Sequence, residues 1–265
     1  MTSTDAAALL SVGVSTIKRW ADEGIVPCVR TAGGHRRFQR SSLVDLLTQT
    51  QAEALSEGAT GRWVSALLSD GSIHEVVSAL HMARHRAGAW WSVAAQLGVV
   101  LGALGQRWAT GEITILQEHR ATERLKRGLT MVMASMSVPQ GAPTALLMTA
   151  EGEEHTMGLS LVELCAREAG WATRWAGRNT PLTDLARAMA EGEVPTLLAV
   201  SASIFSRGAE DLERQCEALE AIAEHHGILL ALGGQGPWPE SPRYACRFGH
   251  FETFVELLAR GRITR

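Results

Sequence analysis

The sequence lacks the features that would place the chain in a membrane or in an oxidising compartment. No apolar run approaches the roughly 18 residues that a transmembrane helix requires, and the N-terminal MTSTDAAALL has neither the basic start nor the apolar stretch of a secretory signal. The four cysteines, Cys28, Cys165, Cys216 and Cys246, form no C-x-x-C pair, which indicates neither a disulfide framework nor a cysteine-rich zinc site. We therefore expect a cytoplasmic protein without a membrane partner.

An excess of positive charge is confined to the start of the chain. Residues 1–47 carry six basic and four acidic side chains, whereas residues 139–265 carry eleven basic and seventeen acidic ones, within a net charge of -3. The acidic C-terminal part is therefore not expected to meet a phosphate backbone. A length of 265 residues, 46% of them hydrophobic, is enough for two or three domains with separate cores.

The beginning of the chain has the pattern of a helix-turn-helix domain. Residues 5–10 and 15–23 favour short helices, and Gly13 lies in the segment that joins them. Ile17 and Trp20 are predicted to face the core. The second helix then leaves three side chains available to DNA: Thr16, Lys18 and Arg19.

The next segment, residues 29–38, is predicted to form a hairpin in which Gly33 and Gly34 supply the positive φ angles of a tight turn. Residues 29–40 contain four arginines and no carboxylate. Such a charge pattern suits a wing that lies along the phosphate backbone of DNA. The predicted contacts of this wing are Arg30, Gly34, His35, Arg36 and Arg37.

Residues 58–137 repeat apolar side chains with the period of an α-helix. The i, i+3, i+4, i+7 spacing is seen, for example, at Ile73, Val76, Val77 and Leu80. Short breaks at Asp70-Gly71, Gly88 and Gly111 divide the region into four helices. The pattern predicts an antiparallel four-helix bundle.

The period changes after residue 142. Apolar runs at 145–148, 196–200 and 228–232 alternate with helix-like stretches, which lie at 158–169, 182–191 and 209–226. This alternation predicts a parallel sheet wrapped by helices, a Rossmann-like (flavodoxin-like) fold that binds ligands at the carboxyl ends of its strands. The fold class is therefore multidomain α and α/β, with domains at 1–50, 58–137 and 142–265.

Three segments, in this order, resemble known families. Residues 5–47, above all the TAGGHRRF of residues 31–38, resemble the winged helix-turn-helix of the MerR family. Residues 142–265 resemble the cobalamin-binding domain of methionine synthase and cobalamin-dependent mutases, whose E/D-x-H-x-x-G signature matches Glu153, His155 and Gly158. The middle resembles the helical cap of the CarH/LitR-type photoreceptor repressors, whose W-x9-E-H pattern is matched by Trp108, Glu118 and His119.

The resemblance to the cobalamin-binding domain implies cobalamin as cofactor and assigns a role to each matched residue. His155 would be the lower axial ligand of cobalt, and Glu153 would hold its other ring nitrogen. Gly158 would let the chain pass close to the corrin. Two further segments resemble the family's contacts to the cofactor tail: a hydroxyl position at Ser201-Ala202-Ser203, and room for the buried nucleotide loop at Gly233-Gly234.

The resemblance to the photoreceptor repressors implies adenosylcobalamin as the form of the cofactor, and light as the signal. Trp108 would pack where the adenosyl group lies, with Glu118 and His119 as its polar contacts, although Trp108 also fits a core position and His119 a surface one. In that family, adenosylcobalamin in the dark promotes a tetramer that represses its target genes, and light disassembles the tetramer. We therefore expect a double-stranded DNA operator and a homo-oligomer, a dimer or tetramer, as partners.

One position departs from that family. Directly after the tryptophan, the well-studied light sensors carry a histidine that takes the cobalt after photolysis, and this chain has Ala109 there. A regulator that senses cobalamin supply, or another tetrapyrrole, is therefore an alternative. A methyltransferase or mutase subunit is disfavoured, because such chemistry needs a separate substrate barrel of about 250 residues, nearly the whole of this chain. We expect no enzymatic activity.

Overall fold

A computed structural model describes residues 1–9, 14–22, 26–31, 33–40, 42–43 and 58–261. The chain divides into two compact units, Met1–Arg62 and Trp63–Arg265. Within the described ranges no helix combines the length and the apolar character that crossing a membrane requires.

The first unit contains two short helices and a hairpin, as predicted. Its elements are α1 (Ser3–Leu9), α2 (Val14–Asp22), β1 (Cys28–Arg30) and β2 (Arg36–Phe38), and the two strands pair antiparallel. Ile17 and Phe38 are buried in its core. Among the described residues of the loop between the strands only Gly34 has a positive φ, 76°, so the prediction was wrong for Gly33. One left-handed residue is enough here, because the Gly34 N–H closes the turn on the Thr31 carbonyl.

The second unit begins within the predicted helical bundle. The bundle helices are α3 (58–68), whose residues up to Arg62 belong to the first unit, α4 (Ile73–Ala87), α5 (Trp90–Ala109) and α6 (Ile115–Ala134). The breaks fall where they were predicted, and Gly88 and Gly111 adopt φ angles of 76° and 77°. Thr114 and Gln117 form a reciprocal capping box that begins α6.

The rest of the second unit is a parallel sheet with helices between its strands. The strands are β3 (Thr144–Thr149), β4 (Ala172–Gly177), β5 (Leu197–Ser201), β6 (Leu229–Gly233) and β7 (Cys246–Arg247). The helices are α7 (Met157–Glu168), α8 (Leu182–Ala190), α9 (Ala209–His226) and α10 (Phe251–Gly261). Among the described residues the strand order is β4-β3-β5-β6-β7, with every pairing parallel. This is the doubly wound, flavodoxin-like order that was predicted.

The strand order determines where a ligand can enter. The chain reverses direction across the sheet between β3 and β5, which makes this the topological switch point at which such folds bind ligands. Thr149 pairs with Ser201, and Ser201 pairs with Gly233, so three strands end at the same level. The loops that follow β3, β5 and β6 therefore meet at one edge.

The bundle packs directly on the helices of the α/β part. Helix α5 contacts α7 and α10, and a single buried apolar cluster runs from Leu97 and Leu125 to Leu161 and Phe254. Glu168, in the last turn of α7, accepts hydrogen bonds from Arg84 Nε at 2.7 Å and from the Trp90 backbone N–H at 2.8 Å. Because the side chain of the α5 N-cap residue accepts no hydrogen bond, the Glu168 carboxylate acts as the acceptor for the backbone N–H at the start of α5.

Candidate functional site

The site is built on the loop between β3 and α7, residues 150–156. The side chain of Glu153 turns inward, and the residue is 1% exposed. The Thr149 hydroxyl donates to the Glu153 carbonyl at 2.7 Å and fixes the backbone of the loop. Carboxylate oxygen Oε1 of Glu153 accepts the backbone N–H of His155 at 2.7 Å and lies 2.6 Å from Nδ1 of its ring. One carboxylate oxygen thus holds both the backbone and the ring of His155.

The other carboxylate oxygen of Glu153, Oε2, is enclosed by the loop after β5. It accepts hydrogen bonds from the Ser203 N–H at 2.8 Å, from the Ser203 hydroxyl at 2.6 Å and from the Ser206 hydroxyl. Burial by itself raises the pKa of the carboxyl, but the hydrogen bonds from Ser203, Ser206 and the His155 backbone outweigh it and bring the pKa of Glu153 down to about 2. The carboxylate is therefore ionised at neutral pH.

The ionised carboxylate at Nδ1 selects the tautomer of the neutral His155 ring. A carboxylate only accepts hydrogen bonds, so this tautomer carries its proton on Nδ1 and has its lone pair on Nε2. Within the described part of the chain nothing hydrogen bonds to Nε2, and the side chain of His155 is 59% exposed. The ring of Phe205 packs on the imidazole with 5.1 Å between centroids. A histidine oriented by a carboxylate in this way is suited to bind a metal ion.

Residues from two further elements hold the loop in place. The Gly152 N–H donates to the side-chain oxygen of Asn179 at 2.6 Å, and the Asn179 N–H donates to the Thr149 hydroxyl at 2.8 Å. From α9, the Gln215 side chain accepts the Glu151 N–H at 2.8 Å. Asn179 has a φ of 51°, which is uncommon outside glycine. Sequence reasoning assigned no role to Asn179 or Gln215, because their partners are distant in the sequence.

A cavity of about 680 Å³ opens at the same edge of the sheet. It is lined by strand-end residues that were predicted from separate motifs, namely Gly158, Ser201, Gly233 and Gly234. The residue Ser201 is only 8% exposed, and no group in the described residues hydrogen bonds to its hydroxyl. The volume lies within the range of about 300–1,000 Å³ that small-molecule sites occupy.

The paired glycines after β6 are required by their surroundings. A Cβ at Gly233 would overlap the ring of Phe248, and one at Gly234 would overlap the carbonyl of Ala202. Gly234 also has a φ of 87°, which other residues rarely adopt. These two positions bring the chain close to the neighbouring strand end and leave the adjoining cavity open.

Ser203 has a different place from the one expected. Its resemblance to a family contact suggested a hydroxyl beside the cofactor tail, but the structure places the Ser203 hydroxyl on the Glu153 carboxylate, and Ser203 does not line the cavity. Ser201, two residues earlier and on the same strand end, lines the cavity instead. Ser206, which also donates to Glu153, was not predicted, and no local sequence signal distinguishes it from any other loop serine.

The residues matched to the helical cap lie on the bundle. Trp108 is in the last turn of α5 and is 44% exposed. Glu118, in the first turn of α6, accepts the Thr122 hydroxyl at 2.8 Å, and His119 Nε2 lies 3.8 Å from the Glu118 carboxylate. None of Trp108, Glu118 and His119 lines the cavity at the strand ends.

The predicted DNA contacts are divided between exposed and paired side chains. Lys18, His35 and Arg37 are exposed, and so is the turn at Gly34. The side chains of Thr16 and Arg19 lie outside the described residues. In contrast, Arg30 and Arg36 both bind Asp22 at the end of α2, at 2.9 and 2.6 Å. Through these two arginines, Asp22 links both strands of the hairpin to α2.

Comparison with known sequences supports this arrangement. Residues 1–51 match the family model of a helix-turn-helix domain. The chain is 30% identical over 138 residues to the HTH-type transcriptional repressor CarH of Myxococcus xanthus, a match that covers 52% of this chain and 45% of that protein. It is 25% identical over 135 residues to the HTH-type transcriptional repressor CarA of Myxococcus xanthus, with 46% of each chain covered. The chain thus spans about half the length of the curated relatives it matches.

Among solved structures, the chain resembles a corrinoid protein in its fold. The monomethylamine corrinoid protein of Methanosarcina barkeri matches with a TM-score of 0.54 and 16% identity, over 75% of this chain and 96% of that one. At this identity the likeness concerns the fold. Together the matches confirm the resemblance to CarH-type regulators and the fold class, a helix-turn-helix domain followed by a helical region and a parallel α/β sheet.

Proposed function

We propose that the chain is a cobalamin-dependent, DNA-binding transcriptional regulator in the cytoplasm, specifically a light-responsive repressor in which adenosylcobalamin controls homo-oligomerisation and operator binding. The observation that carries the proposal is the Glu153–His155 pair. The pair presents the exposed ring edge that carries Nε2 at the switch point of a flavodoxin-like sheet, on the edge where the cavity opens.

The residues present fit a corrinoid whose own lower base has been displaced. His155 would bind cobalt through Nε2, and Glu153, held by Ser203 and Ser206, would keep the ring in the required tautomer and orientation. The displaced nucleotide tail would enter the cavity, where the unpartnered hydroxyl of Ser201 offers it a hydrogen bond. Gly158, Gly233 and Gly234 would give it room.

On the DNA side, the proposal assigns base and phosphate contacts to α2 and to the hairpin. The exposed Lys18, His35 and Arg37 would contact the operator, together with Thr16 and Arg19. Arg30 and Arg36, neutralised in part by Asp22, would orient the wing more than they contact DNA. A small winged domain makes few base contacts, so specific binding calls for two or more copies on a two-fold operator.

The bundle would cover the upper face of the cofactor. When bound, adenosylcobalamin supplies a cobalt–carbon bond that visible light breaks, and Trp108, Glu118 and His119 would surround the adenosyl group. Ala109, at the end of α5, favours a second candidate signal. Because alanine offers no ligand atom, the regulator would then respond to cobalamin supply, or to another tetrapyrrole, without the histidine switch of the well-studied light sensors.

The cofactor assignment is tested by the absorption spectrum of the purified chain loaded with hydroxocobalamin. We expect a base-off, histidine-on spectrum that is lost in His155→Ala and retained in the control His225→Ala, whose side chain is exposed on α9. A His155→Ala variant with an unchanged spectrum and affinity would contradict the assignment.

The signal is tested by gel-shift of the chain's own promoter fragment and by size-exclusion chromatography. Both are run without cofactor, with adenosylcobalamin in the dark, and after green illumination. A complex and an oligomer that form in the dark and dissociate after demonstrated photolysis support the light switch. A response to cobalamin that illumination leaves unchanged supports the supply sensor, and no shift in any state contradicts a DNA-binding regulator.

A further inference from the structure

Helix α5 carries three glycines in its interior, Gly98, Gly102 and Gly105. Glycine is an unfavourable residue within a helix, since it gains no side-chain contact and loses the most conformational freedom on folding. None of the three has a positive φ. Their presence in a 20-residue helix therefore calls for a reason other than backbone geometry.

Close packing does not explain these glycines. A glycine needed for packing is found in α6, where a Cβ on Gly128 would lie 2.8 Å from Cγ1 of Val76. A Cβ on Gly98, Gly102 or Gly105 would meet no atom within 4 Å. These positions therefore face open space and not a neighbouring helix.

For Gly98 and Gly102 that open space is the cavity at the strand ends. Both residues line it, one turn apart on the same face of α5, together with Trp91 and Val99. Val99 is 58% exposed, so this wall presents apolar surface that nothing in the described residues covers. Gly105, one turn further, does not line the cavity.

Ser201 contributes a polar group to the lining of the same cavity. The residue is more than nine-tenths buried, and its hydroxyl has no partner among the described residues. Its oxygen is not one of the fully buried unpaired atoms in the described part of the chain, so it opens to the cavity and is available to hydrogen bond with an occupant. An occupant with an apolar part against α5 and a polar group near Ser201 would satisfy both walls.

We propose that α5, a helix of the bundle, is the second wall of the compartment for the corrinoid's nucleotide tail, and that Gly98 and Gly102 are kept small to admit that tail. This inference rests on the proposed function, because it takes a corrinoid as the ligand. It adds a specificity: the chain selects complete corrinoids, which carry the nucleotide tail, over corrinoids that lack it. It also makes a bundle helix part of the site that recognises the tail.

The test compares two probes, hydroxocobalamin and diaquacobinamide, which lacks the nucleotide tail. Each is titrated spectroscopically into the full chain and into Gly98→Leu, Gly102→Leu and the control Gly105→Leu. In the first two variants we expect the affinity for hydroxocobalamin to fall about tenfold to a hundredfold, with the affinity for cobinamide unchanged. Gly105→Leu should bind both probes as the parent chain does.

The variants should fold at least as well as the parent chain, since leucine is a far better helix former than glycine. A melting temperature without cofactor that does not fall would exclude misfolding as the cause of weaker binding. A variant that fails to fold is replaced by Gly98→Ala, for which we expect a smaller loss of the same selectivity.

The outcomes separate this inference from the proposed function. If the parent chain binds neither probe, the proposed function is wrong and the inference falls with it. If the parent binds hydroxocobalamin but Gly98→Leu and Gly102→Leu bind it as tightly as Gly105→Leu does, the α5 wall alone is wrong. An equal loss of affinity for hydroxocobalamin and for cobinamide would also overturn the inference about α5, because the substitutions would then not act on the nucleotide tail.

Discussion

The two faces of the proposed cofactor site differ in how their residues are held. At the strand ends, Glu153 is buried and receives hydrogen bonds from three residues, so the orientation of His155 is determined by the protein alone. On the bundle, Trp108 and His119 are exposed, and Glu118 has one short hydrogen bond, from the neighbouring turn. The difference shows that the Glu153–His155 side is held by the protein itself, whereas the exposed bundle residues Trp108 and His119 are not. If the bundle covers the cofactor as proposed, its residues would be ordered by what binds there.

The same contrast exists along α5. Its first residue, Trp90, is 5% exposed, and its backbone N–H is capped by Glu168 of α7. Near its other end, Trp108 is 44% exposed. Helix α5 is therefore anchored to the α/β part at its beginning and open at its end, which is the end assigned to the adenosyl group.

The largest expected effect compares the two tryptophans of α5. Trp90→Ala removes a buried side chain and leaves a cavity, so we expect the free energy of unfolding to fall by about 3–5 kcal/mol. Trp108→Ala should cost about 1 kcal/mol or less, because much of its side chain is already in water. Urea denaturation of the cofactor-free chain measures both. Equal losses would show that the end of α5 is as firmly packed as its beginning.

The second effect concerns two adjacent carboxylates. Glu153→Gln leaves donors of Ser203, Ser206 or His155 without an acceptor, and we expect a loss of about 1–3 kcal/mol in unfolding free energy. Because Glu153 orients the proposed cobalt ligand His155, the substitution should also lower the affinity for hydroxocobalamin about tenfold to a hundredfold. The matched control is Glu154→Gln, since the Glu154 side chain is 56% exposed and pairs only with the exposed Arg178.

For the control Glu154→Gln we expect the free energy of unfolding to change by less than about 0.5 kcal/mol and the affinity for hydroxocobalamin to stay the same. If Glu153→Gln behaved like Glu154→Gln in both measurements, the hydrogen bonds to Glu153 would not be the cause of the fixed orientation of His155.

The third effect concerns the anchor of α5. Glu168→Gln removes the charge that pairs with Arg84 and weakens the cap on the Trp90 N–H, for which we expect about 1 kcal/mol of lost stability. The control is Glu123→Gln, which breaks an exposed ion pair with Arg127 on α6 and should cost less than about 0.5 kcal/mol. Hydrogen exchange should show faster opening of the first turn of α5 in Glu168→Gln alone, and equal exchange in both variants would contradict the anchor.

How far the sequence predicts this molecule depends on whether a signal is local. The helix predicted at 158–169 is observed at Met157–Glu168, because glycines and apolar spacing mark its ends. Strand β4 was not predicted from its apolar content, since it lies at the sheet edge and the polar Thr173 and Arg174 interrupt its apolar residues. An edge strand needs no continuous apolar run.

The site shows the same limit. Glu153 and His155 were recognisable because they stand two residues apart in one motif, and the structure adds that the carboxylate reaches the ring. Ser206, Asn179 and Gln215 were not, because each acts across a separate crossover of the fold. Gly98 and Gly102 were likewise unrecognisable, since only the packing of α5 on α7 and α10 brings them to the cavity.

The smallest expected effect on stability is that of Glu118→Gln, and it tests whether the upper face needs an occupant. Glu118 accepts the Thr122 hydroxyl, which a glutamine oxygen also accepts, so we expect the cofactor-free stability to change by less than about 0.5 kcal/mol. If Glu118 contacts the adenosyl group, the preference for adenosylcobalamin over hydroxocobalamin should fall about tenfold to a hundredfold, since a hydrogen bond to a charged group contributes about 1.5–3 kcal/mol. Titration of both cofactors in the dark measures that ratio. An unchanged ratio, together with unchanged stability, would leave Glu118 as an ordinary surface residue and remove the reason to place the adenosyl group beside α6.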